Sequence, residues 1–218
     1  MTRQTAPDDR AAHLRQRRRT SRRLRTLVGA TLVVLAASTG AAAAPKPAGT
    51  HLVAVKPIAA PRGSGDLCGR YGWACARPAA GTRVAAGQAL VLARAVNASV
   101  NANVREVSDR RQYGREDVWA LPTAMGGDCE DFALAKKKKL IEAGLPPGSL
   151  LIATVLDRRR NPHAVLVLRT GAGDYVLDNL TSRILPWQKT GYSFLRMQNP
   201  AAPRLWDAIF AGGIFAQS

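Results

Sequence analysis

Cys129 stands in the run Gly126-Gly127-Asp128-Cys129-Glu130-Asp131, a thiol set among three carboxylates just after a pair of glycines. A thiol does chemistry as its thiolate, so it needs something that removes its proton. Three histidines are available in the chain. His13 lies in a basic leader and His51 in a Pro/Ala-rich stretch, so an imidazole base in the body of the chain would be His163. Asp178 follows His163 by one hairpin's length and is the carboxylate that could orient the ring, leaving its other nitrogen for the thiol. The chemistry on offer is nucleophilic attack on an amide, with Cys129 as nucleophile, His163 as base and Asp178 as orienting acid.

The elements that must position these residues are legible from pattern. Asp128–Ala143 reads as a helix: the two glycines break the chain before it, Asp128 is a good N-cap, and Gly144 with Pro146-Pro147 stops it. Phe132, the stem of Lys136, Leu140 and Ala143 form its stripe, and Lys136–Lys139 place positive charge in its second half. Cys129 then lies in the first turn, where unpaired N–H groups and the positive dipole end favour an anion. Asp128, Glu130 and Asp131 act against a thiolate, so an enzyme needs a positive group near the sulfur or neutralised acids.

Leu150–Leu156 and His163–Arg169 are rich in branched apolar residues and read as strands, with a shorter one at Tyr175–Asp178. Gly171-Ala172-Gly173-Asp174 is a turn, so the last two strands form a hairpin that sets residue 163 opposite roughly residue 180. With that register His163 and Asp178 share a face; the opposite parity would separate them, and sequence leaves both open. A further helix is expected over Ala85–Val104, apolar on the face of Leu90, Ala93, Val96, Val100 and Val104, with Asn97 and Asn101 beside it. Residues 109–122 are read as a loop, and 186–206 as an irregular tail that wraps the sheet through its aromatics.

The net charge is +17 over 218 residues. Residues 1–44 hold nine Arg against Asp8 and Asp9, a surplus of +7, which leaves +10 for the remainder. No interleaved aromatics, recognition helix or zinc spacing accompanies this charge, so nucleic acid is not expected as a partner. The leader runs basic to Arg25, apolar over Leu27–Ala37, then small up to Ala44, the order of a cleavable export signal. The alternative is an uncleaved anchor, for which the apolar run is short. A periplasmic or secreted protein is expected. In an oxidising compartment Cys68 and Cys75, six turn-rich residues apart, are the natural disulfide, and Cys129 is left free. The expected organisation is a signal over 1–44, an extended or loosely ordered linker over 45–64, one catalytic domain over 65–210 and a tail over 211–218.

Gly127-Asp128-Cys129-Glu130-Asp131, His163-Ala164-Val165-Leu166 and Tyr175-Val176-Leu177-Asp178-Asn179 together resemble the bacterial transglutaminase-like cysteine proteases, the LapG-type periplasmic proteases among them. Val96-Asn97, Val100-Asn101, Asp109, Tyr113-Gly114, Asp117, Trp119, Pro186-Trp187 and Tyr192 extend the match, which runs from about Gly65 to Trp206. The resemblance implies an α+β, papain/transglutaminase-like fold, with the nucleophile helix packed on an antiparallel β-sheet. It implies the triad Cys129, His163 and Asp178, and a calcium site carried by Asp128 and Glu130, with Asp131 as a weaker candidate. LapG-type members cut a surface adhesin to release cells from biofilm and are held in check by a membrane receptor, so both a protein substrate and such a regulator are implied. The Cys68/Cys75 pair and the long basic leader depart from the narrower pattern. The same site with an amine acceptor would make a transglutaminase or amidase, and a vestigial one a calcium-stabilised matrix-binding domain.

Overall fold

Two faces of one hairpin organise the molecule. Leu150–Leu156 (β2) and Pro162–Thr170 (β3) pair antiparallel, Ile152 opposite Leu166 and Val155 opposite His163. Both are apolar at nearly every position, which suits strands covered on both sides. Leu150, Ile152, Leu166 and Leu168 point to one face; Leu151, Ala153, Val155, Val165 and Val167 point to the other. Each fully buried side chain of this size contributes roughly 1.5–3 kcal/mol.

The computed structural model describes residues 50–77 and 84–216. The expected export signal lies outside them. Its strands are Lys56–Ile58 (β1), β2, β3, Gly173–Leu177 (β4), Leu185–Pro186 (β5), Ser193–Gln198 (β6) and Trp206–Ala211 (β7). They form one antiparallel sheet in the order β1-β7-β6-β2-β3-β4-β5. The helices are Leu67–Arg70 (α1), Ala86–Asn103 (α2), Asp109–Tyr113 (α3) and Cys129–Glu142 (α4). Ala133, Leu134 and Leu140 of α4, with Ala89 and Ala93 of α2, cover the first face. Leu52, Tyr192, Phe194, Met197 and Ile209 cover the second. The fold is α+β, with α4 packed on β2 and β3. Among the described residues no helix is long and apolar enough to cross a membrane.

Three expectations change. The stretch read as an irregular tail supplies β6 and β7, and β6 pairs directly with β2. Its pattern is interrupted by Arg196 and by a register shift at Phe194/Arg196, so no clean alternation marks it. Part of the expected linker is built in: β1 pairs with β7, Leu52 is buried, and Leu52 N–H donates to Asp174 Oδ2 at 2.8 Å. The expected loop over 109–122 opens with α3, closed by Gly114 in the left-handed region at φ 69°.

Of the lysines that place positive charge in the second half of the helix, Lys136 and Lys137 are drawn inside. Both are fully buried on α4. Lys137 Nζ donates to Ala74 O at 2.6 Å and Gln198 Oε1 at 2.9 Å, and burial pulls its ammonium down to about 7. Ala74 belongs to the loop closed by the Cys68–Cys75 disulfide, so the lysine ties that loop to the helix.

Candidate active site

Cys129 is the first residue of α4, half-buried, with Asp128 as the N-cap in extended conformation. Gly126 and Gly127 permit this entry. Gly126 has φ 129°, and a Cβ there would lie 2.1 Å from Arg105 O. Gly127 N–H donates to Arg105 O and Gly127 O accepts from Val107 N–H, so the chain at 105–107 lies alongside the helix entry. That contact carries Asp109 to Asp128: Asp109 N–H donates to Asp128 Oδ2 at 3.1 Å.

His163 lies near the start of β3, with Pro162 before it. Leu166 pairs with Leu177 between β3 and β4, and continuing that register sets 163 opposite 180. This is the parity that places His163 and Asp178 on one face. His163 Nε2 is 2.8 Å from Asp178 Oδ1, and both residues are buried. Asp178 also accepts from Leu180 N–H at 3.0 Å and from the Tyr192 hydroxyl at 2.5 Å. Burial pushes the Asp178 carboxyl up, but His163, Tyr192 and Leu180 together hold it below its ordinary value. Tyr192 meets the His163 ring edge-on at 6.1 Å. Asn101 Nδ2 donates to Asp178 O at 2.8 Å, and Asn97 Nδ2 to Thr181 O at 3.3 Å, so α2 pins the turn that carries the acid.

Cys129 and His163 line one cleft of about 570 Å³, with Asp109, Asp128, Glu130 and Trp119. The thiol donates to Glu130 Oε2 at 3.1 Å, not to the imidazole. Burial and the Glu130 charge push the thiol pKa far up, while the N–H of Ala164, next to His163, favours the thiolate. Cys129 and His163 are thus neighbours in a cleft, while His163 and Asp178 are already hydrogen-bonded.

Two of the three acids expected to hold a cation, Asp128 and Glu130, cluster with Asp109, and the third, Asp131, lies apart from that group. Asp109, Asp128 and Glu130 offer ligand atoms that all lie within 4.8 Å of one another. Asp131 instead turns inward, fully buried, and accepts from Ala120 N–H at 2.9 Å. Its burial raises its carboxyl to about 8. Asp109 accepts from Val118 N–H, yet its Oδ1 and Asp128 Oδ1 are buried without a hydrogen-bond partner. Burial raises Asp109, Asp128 and Glu130, the last to about 7; the Asp128 charge adds to the rise at Asp109 and Glu130, while hydrogen bonds from Asp109 N–H and Glu130 offset part of it at Asp128. Asp109 and Tyr192 belonged to the extended resemblance, but spacing alone gave neither of them a place in the site.

The sequence profile of the family described as bacterial transglutaminase-like cysteine proteinase BTLCP matches residues 54–213. No functionally curated protein matches the chain. Among solved structures, the chain is similar to calcium-bound Legionella pneumophila LapG, at 24% identity, covering 59% of this chain and 74% of that one, with a TM-score of 0.48. EGTA-treated LapG from the same organism is 26% identical, over 51% of this chain and 63% of that one, with a TM-score of 0.44. The family match spans every element of the sheet and contains Cys129, His163 and Asp178 together; the chain belongs to the bacterial transglutaminase-like cysteine proteinases.

Proposed function

We propose that this cysteine peptidase is an exported, periplasmic endopeptidase working through Cys129, His163 and Asp178. The observation that carries the reading is the His163–Asp178 hydrogen bond of 2.8 Å beside a cleft that both Cys129 and His163 line. In the tautomer that donates Nε2–H to Asp178, Nδ1 keeps the lone pair that takes the thiol proton. The Sγ–C bond forms as that proton moves to Nδ1. The C–N bond breaks as His163 returns it to the leaving amine. Water then attacks the thioester, giving its proton to His163, and the C–S bond breaks to release the acid. The Cys129 N–H, in the first turn of α4 and without an acceptor in its own helix, is the candidate donor to the oxyanion.

Asp109, Asp128 and Glu130 fit calcium. They supply hard carboxylate oxygens at close spacing, and two of these oxygens are buried without a partner. Bound there, calcium would cancel the negative charge that opposes the Cys129 thiolate. Glu130 would then hold a cation instead of the thiol proton, which leaves that proton for His163.

Export rests on the basic, apolar and small order of residues 1–44. The substrate we propose is a surface adhesin whose cleavage releases cells from biofilm, with a membrane receptor as regulator. The test compares surface proteins of a deletion strain complemented with the wild-type chain or with Cys129→Ala. A surface protein that loses its N-terminus only with the wild type supports the reading. Equal processing by both removes it.

A further inference from the structure

Asp178, the partner of His163, and Tyr192 line a second cleft of about 540 Å³. Its remaining wall is rich in arginine: Arg158 and Arg159 from the β2–β3 connection and Arg183 from the turn before β5. Two carboxylates share the cleft, and both are spent elsewhere. Asp157 accepts from Arg159 N–H, Asn161 N–H and Asn161 Nδ2 within its own turn. Asp178 is taken by His163, Tyr192 and Leu180. Among the described residues no ion pair neutralises any of the three arginines. Arg158 is moreover held in place, its Nε donating to Thr190 O at 2.7 Å, which leaves the ends of its guanidinium free to meet a ligand.

We propose that this cleft is a subsite for acidic side chains of the peptide substrate. The proposal rests on the cysteine-peptidase reading of the neighbouring cleft and adds a specificity to it. Three unpaired guanidinium groups around one concavity match carboxylates in charge and in fork geometry. His163 lines one cleft, and its hydrogen-bonded partner Asp178 lines the other. The subsite would take residues of the substrate that lie outside the scissile bond held over Cys129. An acidic peptide is favoured over a nucleic acid because the subsite adjoins the proposed peptide-cleaving centre and offers bases no open stacking platform: Tyr192, the aromatic residue in its wall, is buried.

The test uses the full chain carrying Cys129→Ala and two fluorescein-labelled peptides, one with Glu and one with Gln at the same four positions. Fluorescence anisotropy should show the Glu peptide binding at least about tenfold tighter. R158Q/R159Q/R183Q should lose that preference. R94Q/R105Q/R204Q removes the same charge from exposed positions that line neither cleft, and should keep it. Arg183→Gln alone, an exposed side chain without a partner among the described residues, should lose at least about threefold and serves if the triple variant does not fold. Equal loss in both triple variants, no preference for Glu, or tighter binding of a single-stranded oligonucleotide of equal charge would overturn the subsite. Cleavage is scored separately: Cys129-dependent cutting without acid preference sinks the subsite alone, while arginine-dependent acid binding with no cutting of either peptide sinks the peptidase reading and, with it, the cleft's role toward a substrate.

Discussion

Tyr192 donates its hydroxyl to Asp178 Oδ2 at 2.5 Å, so the carboxylate that meets His163 is gripped from the segment just before β6, a strand separated from β3 by β2. Tyr192 leads into β6, whereas Asp178 ends the β3–β4 hairpin. The pair joins the late strands to the proposed catalytic residues.

Tyr192→Phe removes that bond without emptying the space. The kcat/KM should fall about 5- to 30-fold, the equivalent of roughly 1–2 kcal/mol. Asp178 has a lowered folded pKa, so its contribution to stability is present above the unfolded value near 3.8 and is lost as pH falls below it. The variant should lose less stability across that acid window than the wild type. Urea unfolding between pH 2.5 and 5 checks this; identical slopes would assign Tyr192 no hold on the acid.

Removing the proposed base or its orienting acid should separate chemistry from folding. His163→Asn should abolish cleavage, and Asp178→Asn should cost about 10²- to 10⁴-fold in kcat. Thermal unfolding reports whether the fold persists, and a folded His163→Asn enzyme with wild-type turnover would end the base assignment.

The acidic trio predicts which aspartate matters for the cation. Asp109→Asn should weaken calcium binding at least about tenfold by calorimetry, because one of three clustered carboxylates loses its charge. Calcium at 100 times its dissociation constant should stabilise the wild type by about 2.7 kcal/mol. Asp131→Asn should leave calcium affinity within about threefold, since Asp131 is directed at Ala120 N–H. The reverse ranking of the two variants would return the site to the sequence expectation.

Lys137 predicts a pH-dependent stability. Its folded pKa, about 7, lies below its ordinary 10.5. Between these values the unfolded chain binds the extra proton, so the burial penalty grows as pH falls from 10 to 7. Lys137→Met keeps the length of the side chain. Ala74 O still accepts from Gln198 Nε2, and Gln198 Oε1 from Ile152 N–H. The stability of the variant relative to wild type should therefore drop by an amount on the order of 2–3 kcal/mol between pH 7 and pH 10. A flat difference in chemical denaturation would show that Lys137 keeps its proton in the fold.

Local pattern determined much of this protein. The Gly126-Gly127 break, the Asp128 cap and the Gly144 stop mark α4, and branched apolar runs mark β2 and β3. The turn at 171–174 marks the hairpin and sets 163 opposite roughly 180 but leaves the parity open; the β3–β4 pairing takes the register that lets His163 meet Asp178. These are signals over a few residues, where backbone preference and hydrophobic period act directly.

Tertiary structure decided the rest, because it depends on contacts across long separations. Residues 193–211 have no clean alternation, yet β6 lies next to β2 because its backbone pairs with the edge of β2 that β3 leaves open, which sets Phe194 and Met197 into the second cluster. Lys137 looks like a solvated charge in a lysine run, and only the Ala74 and Gln198 carbonyls reveal it as buried. Asp131 sits closer to Cys129 in sequence than Asp109 does. The chain path at 105–107, laid beside Gly127, nevertheless brings Asp109 to the trio, while the helix turns Asp131 toward Ala120. Sequence pointed to Asp128 and Glu130, but only a backbone folded in three dimensions brings a ligand atom of Asp109 within 4.8 Å of theirs.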